Sequence, residues 1–215
     1  MKYLDNSKIM LMKDFYTFHS CGYLTTFAAR ADEFGRYLSI ADGSAAGAFY
    51  SNLILGDYKD IQLPVIYHEL KGDLSGKKMR DILDTRYPPL YLISDRFKSI
   101  LKETGITGWK SYPILLFDKK GNQIEGYNGF SIIGRAGKMQ QFDQPPLEYG
   151  YSANSEGYYF DIETWDGSDL FNTKGSWHII ATERFIKMLI ENKVTACDYC
   201  RLTDYGDWSK TKRIH

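Results

Sequence analysis

Two stretches of this chain carry one pattern: LISDRFKSILKETGIT over residues 92–107 and IIATERFIKMLIENKVT over 179–195. Phe185 follows Phe97 by 88 positions, and the same offset pairs Arg96 with Arg184, Leu101 with Leu189, Glu103 with Glu191 and Thr107 with Thr195. Ser94 and Thr182 are both good helix N-caps, and Asp95 and Glu183 follow them, where the helix dipole favours a carboxylate. Phe97, Ile100 and Leu101 fall at i, i+3 and i+4, the stripe of an amphipathic helix. In the second copy Phe185, Met188 and Leu189 repeat it, and Gly105 suits the left-handed position after the first helix. Apolar strands, LYLI and WHII, precede both helices. Either the physics of a common strand–helix–strand unit has written similar residues twice, or the two units form a pseudo-symmetric pair on a shared sheet. One feature resists a purely local account. Arg96 and Arg184 lie in the first helical turn, where a cation opposes the dipole. A shared salt bridge to a neighbouring carboxylate or contact with a partner would account for both, and the salt bridge is the expectation.

The rest of the chain predicts an α+β fold: a mostly antiparallel sheet with a few short helices, two of them in the pseudo-repeated units. Residues 1–76 read as a β-rich N-terminal part packed with the rest, and 77–215 as the repeated α+β part. KIMLMKDFYTF, GYLTTFAAR and DIQLPVIYHEL are strand candidates rich in β-branched and aromatic residues. Pro64 assigns the last of these to an edge or a bulge. ADGSAAGAFYSN reads as a loop or a short packed helix. KKMRDILDTRY reads as a short helix ending before Pro88–Pro89. GWKSYPILLFD reads as a strand, DKKGN as a turn and QIEGYNGFSIIGR as the returning strand of a hairpin.

Composition narrows the function classes. Of 215 residues, 27 are Lys or Arg and 27 Asp or Glu, so no basic footprint marks a nucleic-acid partner. The basic end SKTKRIH is short and reads as a solvated terminus. The apolar run Ile9 to Met12 is too short for a signal peptide, and no stretch approaches a membrane span. Three Cys residues argue against a disulfide scaffold and for reduced, buried thiols in a cytoplasmic protein.

Chemistry-bearing motifs are few. CDYC, Cys197 to Cys200, follows a helix instead of opening one, so the dipole that activates a redox pair is absent. With His19 and Cys21 the two cysteines make a zinc ligand set of permitted type and unusual spacing. DIETWDGSD gathers Asp161, Glu163, Asp166 and Asp169 without the spacing of a calcium loop, and reads as a solvated strand end and turn. GDLSGKK is a residue short of a phosphate loop. His68 and His178 sit in strand-like surroundings and read as structural. No cofactor is expected. DQPPLEYGYSANSEGYYF, residues 143–160, has the composition of an adaptable binding loop, with Tyr149, Tyr151, Tyr158 and Tyr159 as contact candidates.

Taken in order, DIL…PPLYLISDRFKSILKETGITGWKSYPILLFD, GYNGFSIIG and DLF…HIIATERFIKMLIENKVTACDY resemble the immunity proteins of bacterial polymorphic toxin systems, in particular the families numbered eleven and forty-three. The former was long a domain of unknown function. Ser94, Asp95, Arg96 and Phe97 match that pattern's first helix start, and residues 105–108 its exit. Thr182, Glu183, Arg184 and Phe185 match the second start, with Thr for Ser. These motif residues read as structural. The resemblance spans roughly residues 78–205. It implies a cytoplasmic, non-catalytic protein that neutralises a cognate protein toxin by binding it, without nucleic acid or membrane. The competing expectations are an enzyme using the Cys/His zinc set or the carboxylates near Trp165, and a structural assembly module.

Overall fold

In the computed structural model, which describes residues 11–21, 25–31, 43–141, 157–176 and 178–214, the two repeated stretches form two matching layers around one core. The first unit is a four-stranded sheet in the order β4 (Ile82–Asp84), β5 (Tyr91–Ser94), β9 (Tyr127–Ile132), β6 (Trp109–Tyr112). The second lies in a six-stranded sheet: β10 (Gly134–Lys138), β13 (Leu170–Lys174), β14 (Ile179–Thr182), β1 (Phe15–Ser20), β15 (Cys197–Arg201), β16 (Lys212–Ile214). Helices α2 (Asp95–Glu103) and α3 (Glu183–Glu191) follow β5 and β14 directly. A third sheet, β2 (Ala29–Ala31), β3 (Val65–Glu69), β7 (Ile114–Phe117), β8 (Gln123–Ile124), packs with helix α1 (Gly43–Leu55) on the far side of the first unit. A small pair, β11 (Gln140–Gln141) and β12 (Tyr158–Tyr159), completes an α+β fold of mixed and antiparallel sheets.

The units match strand for strand. Ile82 faces Ile93 across β4 and β5, and 88 positions on Leu170 faces Ala181 across β13 and β14. The middle strand follows a different offset. Ser94 pairs with Tyr127 in β9, but Thr182 pairs with Phe15 in β1; Trp109 pairs with Ile132, but Cys197 with Ser20. β1 thus stands where β9 stands, 112 positions earlier in the chain. The backbone bonds Asp95 N to Gly126 O and Glu183 N to Asp14 O keep the same relation, both at 2.8 Å. The second unit is a circular permutation of the first, and its middle strand is supplied by the N-terminal part.

Two carboxylates lock the units together. Asp81 Oδ1 accepts from Ser94 Oγ at 2.8 Å, and that same Ser94 Oγ caps α2 by accepting from Phe97 N. Asp81 Oδ2 accepts from Arg96 at 2.7 Å and from Thr195 N and Oγ1 at 3.0 and 3.1 Å. Asp169 repeats every bond: Thr182 Oγ1 at 2.9 Å, Arg184 at 2.9 Å, and Thr107 N and Oγ1 at 3.0 and 3.1 Å. Each Asp therefore holds its own unit's cap and the other unit's helix exit, the reciprocity of a two-fold arrangement. The first-turn arginines now have their reason. Arg96 donates to Asn192 O and Arg184 to Thr104 O, so each guanidinium sits at the C-terminal end of the other, antiparallel helix. There a cation is favoured.

The central core lies between the two units. Phe97, Leu101, Phe185 and Leu189 are fully buried in it, beside Phe18, Tyr91, Phe130 and Ile179. The ring contacts also repeat: Phe97 meets Phe130 and Phe185 meets Phe18, their matched partner. A second cluster fills the space between the first unit and α1, and a third lies on the outer face of the six-stranded sheet.

Several local expectations are corrected. Residues 77–87 are not a helix: Ile82 and Leu83 occupy strand β4, one turned to the central core and the other to the second cluster. An adjacent apolar pair buried on both sides is ambiguous in sequence. GWKSYPILLFD is two strands, split at Pro113 and sent to different sheets, and the expected hairpin divides likewise: β8 pairs with β7, β9 with β6. β3 is an interior strand, with Pro64 just before its first residue. The small-residue stretch at 43–55 is helical. KIMLMKDFYTF becomes a strand only from Phe15.

Asp81→Ala and Asp169→Ala should each cost about 2–4 kcal/mol in urea unfolding, because each removes a buried carboxylate with four charge-assisted hydrogen bonds. The losses should be equal within about 1 kcal/mol; a much smaller loss at one site would break the equivalence. Two left-handed glycines of the first unit are replaced by side-chain-bearing residues in the second, Gly108 by Ala196 at φ +84° and +68°, and Gly105 by Lys193. Gly105 has φ +63°, and its counterpart Lys193 has φ +50°, where a side chain is strained. Lys193→Gly should therefore stabilise the protein by about 0.5–1 kcal/mol in the same assay.

Candidate functional site

Ser94, Thr182, Arg96, Arg184, Phe97 and Phe185 are spent on caps, the inter-unit lock and the core, as described above, while the carboxylates of Asp95 and Glu183 bond Asn128 and Lys187. Glu183 and Arg184 also border a surface groove.

The Cys/His set is not brought together. In β15 side chains alternate, so Cys197 faces the central core while Asp198 and Cys200 face the opposite side, with His19 and Cys21. Among the described residues no three His, Cys, Asp or Glu side chains are grouped as a metal would require. All three cysteines are free and buried. Burial raises the thiol of each, Cys21 up to about 12, so thiolate is scarce at neutral pH. Asp198 is held by Arg213 in a two-pronged ion pair at 2.8 Å.

The acidic stretch likewise divides. Asp161 caps a 3-10 turn at Glu163 N, Asp166 accepts from Arg135 N and Ser168 N, and Asp169 belongs to the lock. Tyr149 and Tyr151 lie outside the described residues. Tyr158 and Tyr159 are not free contact residues: Tyr158 is buried against Tyr205, and Tyr159 is half-buried with its hydroxyl on Gln140 at 2.6 Å. The alternation of β12 turns one of them into the third cluster and leaves the other along its margin.

His19 is enclosed by His178, edge-on at 5.7 Å, and Tyr205, stacked at 6.1 Å. Its Nε2 is buried without a hydrogen-bond partner. Burial, assisted by His178, lowers its pKa from 6.5 to about 4.

The pseudo-symmetry singles out a different surface, one that no sequence motif marked. On the face where α3 crosses β1 and β15, a groove of about 510 Å³ is lined by Tyr16, Ile186, Ile190 and Tyr199. The same positions beside α2 are Asn128, Lys98, Lys102 and Ser111. There Lys98 donates to Asn128 and Asn128 to Asp95, a closed polar link between helix and strand. In the second unit the aromatic rings of Tyr16 and Tyr199 meet edge to face at 6.1 Å, and Ile190 is 51% exposed. Tyr16, Ile186 and Tyr199 are themselves buried at the margin of the central core and form the groove's floor, whereas Ile190 is exposed at its rim, where the first unit carries Lys102. The first unit shows that the frame tolerates a polar side chain at that rim position. Charges fringe the groove: Lys187 pairs with Glu183 at 2.7 Å, and Arg201 lies over the Tyr16 ring at 6.0 Å. The bond to Lys187 holds the Glu183 carboxyl below its ordinary value. The hydrogen bond to Tyr16 raises Arg201. What this face offers is apolar contact area with charges fixed at its margin, the make-up of a protein-binding patch. A second groove of about 390 Å³ flanks the other side of α3, toward Thr104 and Ile106. Comparison with known proteins adds no name: no family model and no curated protein matches this chain.

A His held neutral in the fold but free to protonate when unfolded makes stability rise with pH. The His19 contribution should be full above pH 6.5 and fall by about 3 kcal/mol as pH drops to about 4, and His178, whose pKa burial also lowers, adds a fall of the same sign. In urea unfolding across that range, His19→Phe should remove most of this slope, and an unchanged slope would refute the assignment.

Proposed function

We propose that this protein is a non-catalytic binding protein, an immunity protein of a bacterial polymorphic toxin system that neutralises its cognate toxin in the cytoplasm by direct contact through the α3–β15 face. The observation that carries the reading is the broken pseudo-symmetry. Two equivalent faces share one frame, and where the first carries Lys102 the second exposes Ile190 at the rim of a groove floored by Tyr16, Ile186 and Tyr199. Exposed apolar surface costs solubility and, where the frame does not need it, marks a site of association. The sequence resemblance supports the toxin as partner. Among the described residues no helix is long and apolar enough to cross a membrane.

Ile190→Lys installs the residue that the first unit already carries at Lys102, so it should leave stability within about 0.5 kcal/mol. Tagged protein recovered from its native host should bring down a toxin-domain protein in near-equal amount, identified by mass spectrometry. Ile190→Lys should weaken that complex by about tenfold or more. A variant that retains the partner fully would move the interface elsewhere, and a partner that is not a toxin would overturn the immunity reading.

A further inference from the structure

The groove's margin carries more charge than its internal pairs consume. Around the apolar floor stand four cations, Lys187, Arg201, Lys210 and Lys212, and two carboxylates, Glu183 and Asp204. Lys187 is taken by Glu183 at 2.7 Å. Arg201 is bonded to Tyr16 and also feels the charges of Asp204 and Glu183. Lys210 and Lys212 have no ion-pair partner among the described residues. Asp207 lies near Lys210 and offsets part of its charge, its oxygens held by the side chain and backbone of Ser209. This local excess sits on a chain with no net charge. Lys212 is on β16, at the edge of the six-stranded sheet, where a lysine also discourages sheet-to-sheet pairing. Lys210 lies before that strand on a 3-10 turn, where that reason does not apply.

Resting on the reading of this face as the contact surface, we infer that its occupant is an acidic protein segment bearing an aliphatic or aromatic side chain. The apolar side chain fills the space between Ile186, Ile190 and the two tyrosines, and its flanking carboxylates meet Lys210 and Lys212. A nucleic-acid strand fits less well. Its phosphates would face Glu183 and Asp204, and the tyrosine rings lie edge to face at 69° instead of presenting a stacking platform. Charge complementarity of this kind acts chiefly on encounter rate and partner choice, so it predicts a strong salt dependence.

The test uses the full chain and fluorescence anisotropy with four labelled probes. These are a peptide of alternating Asp/Glu and Leu with one Trp, its version with Lys for every acid, its version with Ser for every apolar residue, and a single-stranded oligothymidine. The inference expects binding of the first probe alone. It expects affinity to fall about tenfold or more between about 0.05 and 0.5 M salt, and again in Lys210→Glu/Lys212→Glu. Ile190→Lys should also abolish it. Equal or stronger binding of the lysine peptide, lost in Ile190→Lys, would overturn the acidic partner and leave the contact face standing. Binding of the oligothymidine in preference to the first peptide would replace both with a nucleic-acid surface. Binding of no probe, or binding indifferent to Ile190→Lys, would overturn the groove itself.

Discussion

Two buried carboxylates organise this protein. A carboxylate is tolerated inside a fold only when its oxygens are hydrogen-bonded and its charge is met. Asp81 and Asp169 satisfy that demand with a helix cap from one unit and a helix exit from the other. Because the donors come from both units, neither Asp is satisfied until the units have docked. The arginines follow from the same geometry, since a guanidinium bound to either Asp reaches the far end of the opposing helix. The order of strands, the antiparallel helices and the closed core between them are consequences of meeting these needs twice.

Much of this was legible because it is local. Ser94 and Thr182 announce helix starts, and the apolar stripes of α2 and α3 announce their buried faces. The salt bridges of Arg96 and Arg184 were legible as a conflict with the dipole that required a partner. The carboxylates themselves were not assigned a role, although Asp81 and Asp169 stand at the repeat's own offset of 88 positions. That spacing was the available signal. Asp81 was hidden in a stretch whose adjacent Ile82 and Leu83 read as a helix face, and Asp169 in a run of acids that looked solvated. Non-local features left no trace at all. Nothing in the composition of residues 15–20 says that they complete a unit whose other strands lie beyond residue 169. The candidate site was missed for a related reason: it is defined by contrast between two units, and the contrast appears only once β1 is aligned with β9.

The frame therefore separates what folding demands from what it merely permits. Where both units keep a residue type, the lock, the caps and the paired phenylalanines, packing explains it. Where they diverge at an exposed position, packing does not. Of the residues that correspond to Asn128, Lys98, Lys102 and Ser111 across the pseudo-symmetry, Tyr16, Ile186 and Tyr199 pack into the central core, and Ile190 is the exposed divergence. The tyrosine-rich segment had the composition of a contact loop, but its described tyrosines contribute to the third cluster and a small sheet. Composition reports what a side chain can do, and burial decides which of those capacities is used.

The permuted middle strand bears on the order of events during synthesis. The first unit is assembled from residues 81–132 and can pair as soon as that segment leaves the ribosome. β1 is made well before it, yet its neighbours β14 and β15 are among the last strands to appear. For most of translation β1 is an apolar strand with both edges unpaired, in a growing chain where such edges invite wrong partners. The finished first unit offers the closest decoy, since its own middle strand occupies the site that β1 matches. β9 follows β6 after only the β7–β8 pair, so the interval in which β1 could take its site is brief.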